Sequence, residues 1–141
     1  MKTNWLHKWP KVLIADQSDH CNIILHHILE NNHGIYPQNI TVLKNWDEVL
    51  AATQQELFDL IIINQVLNWT NWLKVAEIIR QNRQGELPQI LGYLSCNPEN
   101  PKDFDDFALK PVSMNEISGK IGKSLDIWKD IEIEDGVVNC T

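Results

Sequence analysis

Phe58 to Gln65 reads FDLIIINQ, an apolar run that ends in Asn64. A buried parallel strand delivers its last side chain to the carboxyl edge of its sheet, where open α/β folds place their sites. Many such sites need a carboxylate there. An amide supplies neither its charge nor its nucleophilicity. Five histidines raise the question of a metal. His20 and His27 stand seven apart with His26 adjacent, whereas zinc ligands pair at i, i+4 or cluster with cysteines. They read as solvated histidines, and no metal site is expected. Cys21, Cys96 and Cys140 form no C-x-x-C pair, which points to reduced thiols and a cytoplasmic setting. No Gly-rich phosphate loop and no G-x-S-x-G motif occurs. Neither a cofactor nor conventional enzyme activity is expected.

Twelve basic residues stand against nineteen acidic ones in 141 residues, a net charge of −7. That balance disfavours nucleic acid and anionic membrane as partners, since both reward basic patches. No apolar run approaches the ~20 residues of a membrane span, and the N-terminal stretch lacks a signal-peptide core. An apolar fraction of 43% and a charged fraction of 22% suit one soluble globular domain. From Asp126 onward five carboxylates face a single lysine, so the C-terminal end is the acidic end.

Strand-like and helix-like stretches alternate along the chain. Lys11–Ala15, Ile40–Leu43, Asp59–Ile63, Gln89–Leu94 and Phe107–Leu109 read as strands. Cys21, Ile24, Leu25, Ile28 and Leu29 give the first helix its apolar stripe, and residues 31–38 read as a loop around Gly34 and Pro37. Asn45 with Glu48, and Ser113 with Glu116, are capping-box pairs. Trp72, Val75, Ala76 and Ile79 mark a third helix, and Met114 to Trp128 the last. Between Cys96 and Phe107 there is room for one helical turn after Pro101 but not for a crossover helix. Alternation of this kind predicts an α/β fold with a parallel sheet covered on both faces. The domain is placed at residues 1–128. The acidic tail, 129–141, reads as a linker or a short hairpin at Asp135-Gly136.

The order and spacing of these pieces resemble the receiver domain of two-component response regulators, over about residues 10–128. KVLIADQS resembles the first strand and its acidic turn. FDLIIINQVLNWTNWLKVAEIIR resembles the phosphoacceptor strand with its loop and helix. LPQILGYLS resembles the fourth strand, and LKPV the Lys-Pro after the fifth. The resemblance implies a doubly wound five-stranded parallel sheet of order 2-1-3-4-5, flavodoxin-like, here with its fourth helix shortened or missing. It also implies a cis Lys110–Pro111 bond.

In that family an aspartate accepts the phosphoryl group, further acids hold Mg²⁺, a Ser or Thr contacts the phosphoryl oxygens and a Lys pairs with their charge. Carried over, the acceptor falls on Asn64, the acid pair on Asp16 and Gln17, the Ser/Thr position on Tyr93 and the lysine on Lys110. Ser95 would fill the hydroxyl position only if the register slipped by two. An amide is no usable nucleophile for an acyl phosphate, and one carboxylate holds Mg²⁺ poorly. Asp16 and Lys110 could be read as a catalytic pair. The simpler reading has Lys110 neutralising Asp16 or bonding the Asn64 carbonyl. Asn68, Trp69 and Trp72 stand where the family often has Pro-Gly and Gly. Trp72 is in phase with the helix core, and Trp69 could cover the site. The expectation is a pseudo-receiver that is not phosphorylated at the usual site and works by binding protein: a sensor kinase, another regulator or a second copy. The alternatives are a small-molecule module of flavodoxin type and a receiver phosphorylated at a non-standard residue such as Ser95 or Asp16.

Overall fold

The computed structural model describes residues 10–65, 71–83, 85, 87–98 and 100–134. Strands β1 (Val12–Ala15), β2 (Ile40–Leu43), β3 (Leu60–Asn64), β4 (Gln89–Leu94) and β5 (Asp106–Leu109) alternate with helices α1 (Asp19–His33), α2 (Trp46–Gln55), α3 (Asn71–Asn82) and α4 (Met114–Glu134). The strands form one parallel sheet in the order β2-β1-β3-β4-β5, as expected.

The apolar strands explain the layering. β1 and β3 are buried at every residue, so their alternating side chains feed two cores. Val12, Ile14, Leu60 and Ile62 pack with Leu25, Ile28 and Leu29 of α1 and Ile117, Ile121 and Leu125 of α4. Leu13, Ile61 and Ile63 pack with Val49 of α2 and Val75, Ala76 and Ile79 of α3. A continuous LIII run is what this burial on both faces demands.

Caps set the helix limits. Ser18 caps α1 by accepting from Cys21 N–H at 3.4 Å, so the helix starts at Asp19, two residues before the apolar stripe. The helix runs through His33, so residues 31–33, read as loop, are helical. It stops where Gly34 takes a left-handed φ of 68° and where Ile35 N–H bonds the Leu29 carbonyl. Asn45 Oδ1 accepts from Asp47 N–H at 2.8 Å, and Ser113 Oγ from Glu116 N–H at 3.0 Å. Ile24, assigned to the buried stripe, is 40% exposed, because Leu25, Ile28 and Leu29 suffice to cover the sheet.

Two regions depart from a regular doubly wound plan. Between β4 and β5 the described residues hold a single 3-10 turn, Pro101–Asp103. Phe104 then drops into the core, 6% exposed and edge-on to Phe107 with ring centroids 6.5 Å apart. At the other end α4 continues to Glu134, six residues past the boundary drawn at 128. IEIE is therefore helix rather than linker or strand: Trp128 and Ile131 extend the spacing of Leu125 by i+3 steps, and that periodicity overrides the short alternation. The Asp135-Gly136 turn lies outside the described residues. Both Leu87–Pro88 and Lys110–Pro111 are cis, the second as the resemblance implied.

Candidate functional site

The carboxyl ends of β1, β3 and β5 meet at one point. The β1 ladder runs one residue beyond Ala15, with Asp16 N–H bonded to the Leu43 carbonyl at 3.0 Å. Asp16 and Asn64 are both fully buried. The Asn64 amide donates from Nδ2 to Asp16 Oδ1 at 2.6 Å. Its carbonyl oxygen accepts from Lys110 Nζ. A carboxylate on one side and an ammonium on the other fix which way the amide points. Asp16 Oδ1 also accepts from Ser18 N–H at 2.7 Å, which ties the site to the start of α1. Lys110 Nζ reaches further, to the Gln65 carbonyl at 2.9 Å.

A buried carboxylate needs compensating donors or charge. Here the Asn64 amide and the Ser18 N–H both donate to Oδ1, and the Lys110 ammonium adds its charge from beyond Asn64. Gln17, at the position of the second acid, is exposed and brings no charge. Among the described residues no group of three His, Cys, Asp or Glu side chains is placed to hold a metal. The residues present do not fit the Mg²⁺ site that the fold family implies.

Tyr93 stands directly beside Asn64 in the β3–β4 register, so the strands do not slip. Lys110 Nζ lies 4.6 Å from the centroid of its ring, a cation–π contact. Burial pushes the Tyr93 phenol above its ordinary value, with Cys21 and Asp16 adding to the rise. Burial pulls the Lys110 ammonium below its ordinary value, partly offset by Cys21 and Asp16. Ser95, two residues on, has its hydroxyl donated to the Gln65 carbonyl at 3.0 Å.

Two contributors escaped the sequence reading. Gln65 is 7% exposed and joins three segments: its carbonyl serves Lys110 and Ser95, its Oε1 accepts Ser95 N–H at 3.1 Å, and its Nε2 lies 3.7 Å from Cys96 Sγ. The available signal was a second polar residue at the end of an apolar run. Cys21 faces the same edge from the first turn of α1, half-buried rather than part of the inner stripe. Trp69 lies outside the described residues. The Trp72 backbone belongs to α3, and its side chain lies outside them too. His26 pairs with Glu30, and His27 with Asn31 at 3.1 Å, on the outer face of α1.

No protein-family model matches the sequence, and no curated protein matches it. Solved structures do match, and those most similar include response regulator receiver domains. The response regulator TrrA of Thermotoga maritima, in complex with Mg²⁺ and beryllofluoride, is 19% identical, with 82% of this chain and 98% of that chain covered and a TM-score of 0.68. The same protein has been solved in complex with the histidine kinase ThkA. Chemotaxis regulator CheY4 of Vibrio cholerae is 20% identical, covering 82% and 98%, at a TM-score of 0.67. The receiver domain of a histidine kinase from Syntrophus aciditrophicus is 18% identical, covering 83% and 90%, at 0.67. At identities of 18–20% these likenesses establish the fold, a CheY-like five-stranded 2-1-3-4-5 sheet.

Proposed function

We propose that the chain is a pseudo-receiver: a signalling module that is not phosphorylated at the usual position and acts by binding another protein. The observation that carries this is Asn64, whose amide is consumed on both sides by Asp16 and Lys110. The arrangement offers no carboxylate nucleophile at the end of β3 and no acid pair for Mg²⁺. Tyr93 fills the position of the small hydroxyl residue with a ring held under Lys110. Ser95 is a poor substitute acceptor, because its hydroxyl is tied to Gln65.

Without the chemistry, what remains is surface. The 3-10 turn at Pro101–Asp103 replaces the family's fourth helix, so the usual output face is not presented in its usual form. Leu109 and Met114 are exposed at the end of β5 and the start of α4. The sequence from Asp126 onward adds an acidic strip at the other end of α4. Such a strip suits a protein partner with basic groups, bound in a salt-sensitive way. A sensor kinase is the first candidate, since the structurally similar TrrA binds one. Another regulator or a second copy is the next. The module is a binder rather than an enzyme. No helix among the described residues is long and apolar enough to cross a membrane.

The test is incubation with acetyl phosphate and Mg²⁺ followed by intact mass. The expected result is an unmodified chain. A stoichiometric phosphoryl adduct overturns the proposal, and repeating the assay with Asp16→Ala and Ser95→Ala then locates the acceptor.

A further inference from the structure

The amino edge of the sheet, opposite the site, carries an apolar groove. A cavity of about 340 Å³ opens between the C-terminal ends of α2 and α3, walled by Leu50, Leu57, Phe58, Ile78, Leu87 and Pro88. Its volume is at the low end for ligand pockets, enough for one large aromatic side chain. Leu57 at its mouth is 75% exposed. Rigid contacts frame it: Arg83, on its wall, is forked onto Asp105 at 2.6 and 3.0 Å and also bonds the Pro88 carbonyl.

The groove lies where the described chain begins. Lys11 Nζ bonds Glu56, a wall residue, at 2.6 Å, and Lys11 N–H bonds Asp59 Oδ2 at 2.8 Å. Before the buried Pro10 come the nine residues MKTNWLHKW, which lie outside the described residues. They hold two indoles and a leucine (Trp5, Leu6, Trp9), two lysines and a histidine, and no carboxylate.

We propose that residues 1–9 fold back onto this groove and lay Trp5 and Trp9 against its apolar walls. Two observations select this occupant. The tether is short: the segment starts beside the groove, and nine residues reach up to ~30 Å, so closing the loop costs little entropy. The chemistry fits, aromatic side chains meeting an apolar cavity whose exposed wall needs cover. This surface is remote from Asn64 and independent of the phosphorylation reading.

The experiment is amide hydrogen exchange on the full chain, read by mass spectrometry, beside a Leu57→Asp variant whose urea midpoint confirms folding. Residues 1–9 are expected to exchange roughly tenfold or more slower than a free peptide, independently of protein concentration, and to lose that protection in Leu57→Asp. A Trp5→Ser/Trp9→Ser variant gives a second readout: exchange at residues 57–58 is expected to speed up. Free-peptide exchange of residues 1–9 in the parent overturns the proposal. Protection that survives Leu57→Asp overturns it too, and protection that grows with protein concentration does so by making a second copy the occupant.

Discussion

At Asn64 a single side chain has one group for each neighbour: an N–H donor for Asp16 and an oxygen for Lys110. A carboxylate in its place would lose the donor and set two anions side by side. Asn64→Asp is therefore expected to destabilise the fold by about 1–3 kcal/mol, and millimolar Mg²⁺ to recover part of that loss. Urea unfolding with and without Mg²⁺ measures both. Equal midpoints for Asn64→Asp and the parent would show that the amide bridge contributes nothing. The two titrating neighbours predict opposite alkaline slopes. Lys110 has a folded value below its ordinary 10.5, so between the two the unfolded chain binds the extra proton and stability rises with pH. Tyr93 has a folded value above its ordinary 10.0, so stability present below 10.0 is lost as pH rises through the folded value. Tyr93→Phe is expected to remove the alkaline loss, and Lys110→Met to remove the rise. Urea midpoints from about pH 8 to about pH 11 check this. Superimposable profiles for the parent and both variants would contradict it.

Among the elements, the β4–β5 connection shows how a doubly wound sheet manages with a missing crossover helix. Gly92 in β4 leaves a gap that Phe104 fills: a Cβ on Gly92 would stand 2.9 Å from the Phe104 ring and 3.0 Å from Leu94. One aromatic side chain thus covers sheet that a helix would otherwise cover. Phe104→Ala is expected to cost about 3–5 kcal/mol, the range for a buried aromatic truncation. Gly92→Ala is expected to cost about 1–3 kcal/mol by overpacking. Chemical denaturation of both variants provides the measurement. A Phe104→Ala loss under about 1 kcal/mol would mean that the connection does not serve as a lid. α1 gives a second instance. Its end is set by Gly34 in the left-handed region, where an added Cβ meets no neighbour yet carries a cost of roughly 1–2 kcal/mol from backbone sterics alone.

For the whole molecule, the expected behaviour is one conformation rather than a switch. A ligand stabilises only the state that binds it, and among the described residues no second or third acid stands beside Asp16 to hold a cation. Millimolar Mg²⁺ is accordingly expected to leave the melting temperature unchanged. A saturable rise with Mg²⁺ would reveal a cation site and reopen the question of phosphorylation.

Strand identity, order and layering were legible in the sequence because they are periodic: LIII has no polar face to expose, and apolar residues at helical spacing leave little choice. Asn64, Asp16 and Lys110 were legible because each sits at the end of such a stretch. Gln65 was not, since its partners Ser95, Cys96 and Lys110 lie 30 to 45 residues away. The Phe104 plug and the Arg83–Asp105 fork also join segments that share no local pattern. The extent of α4 was misread because alternation in IEIE competes with a helical phase inherited from the residues before it. The sequence by itself determined which residues reach the carboxyl edge, through the two-residue period of buried strands. Only the tertiary structure decided what they meet there, because hydrogen-bond partners across a sheet are set by how separate strands come together.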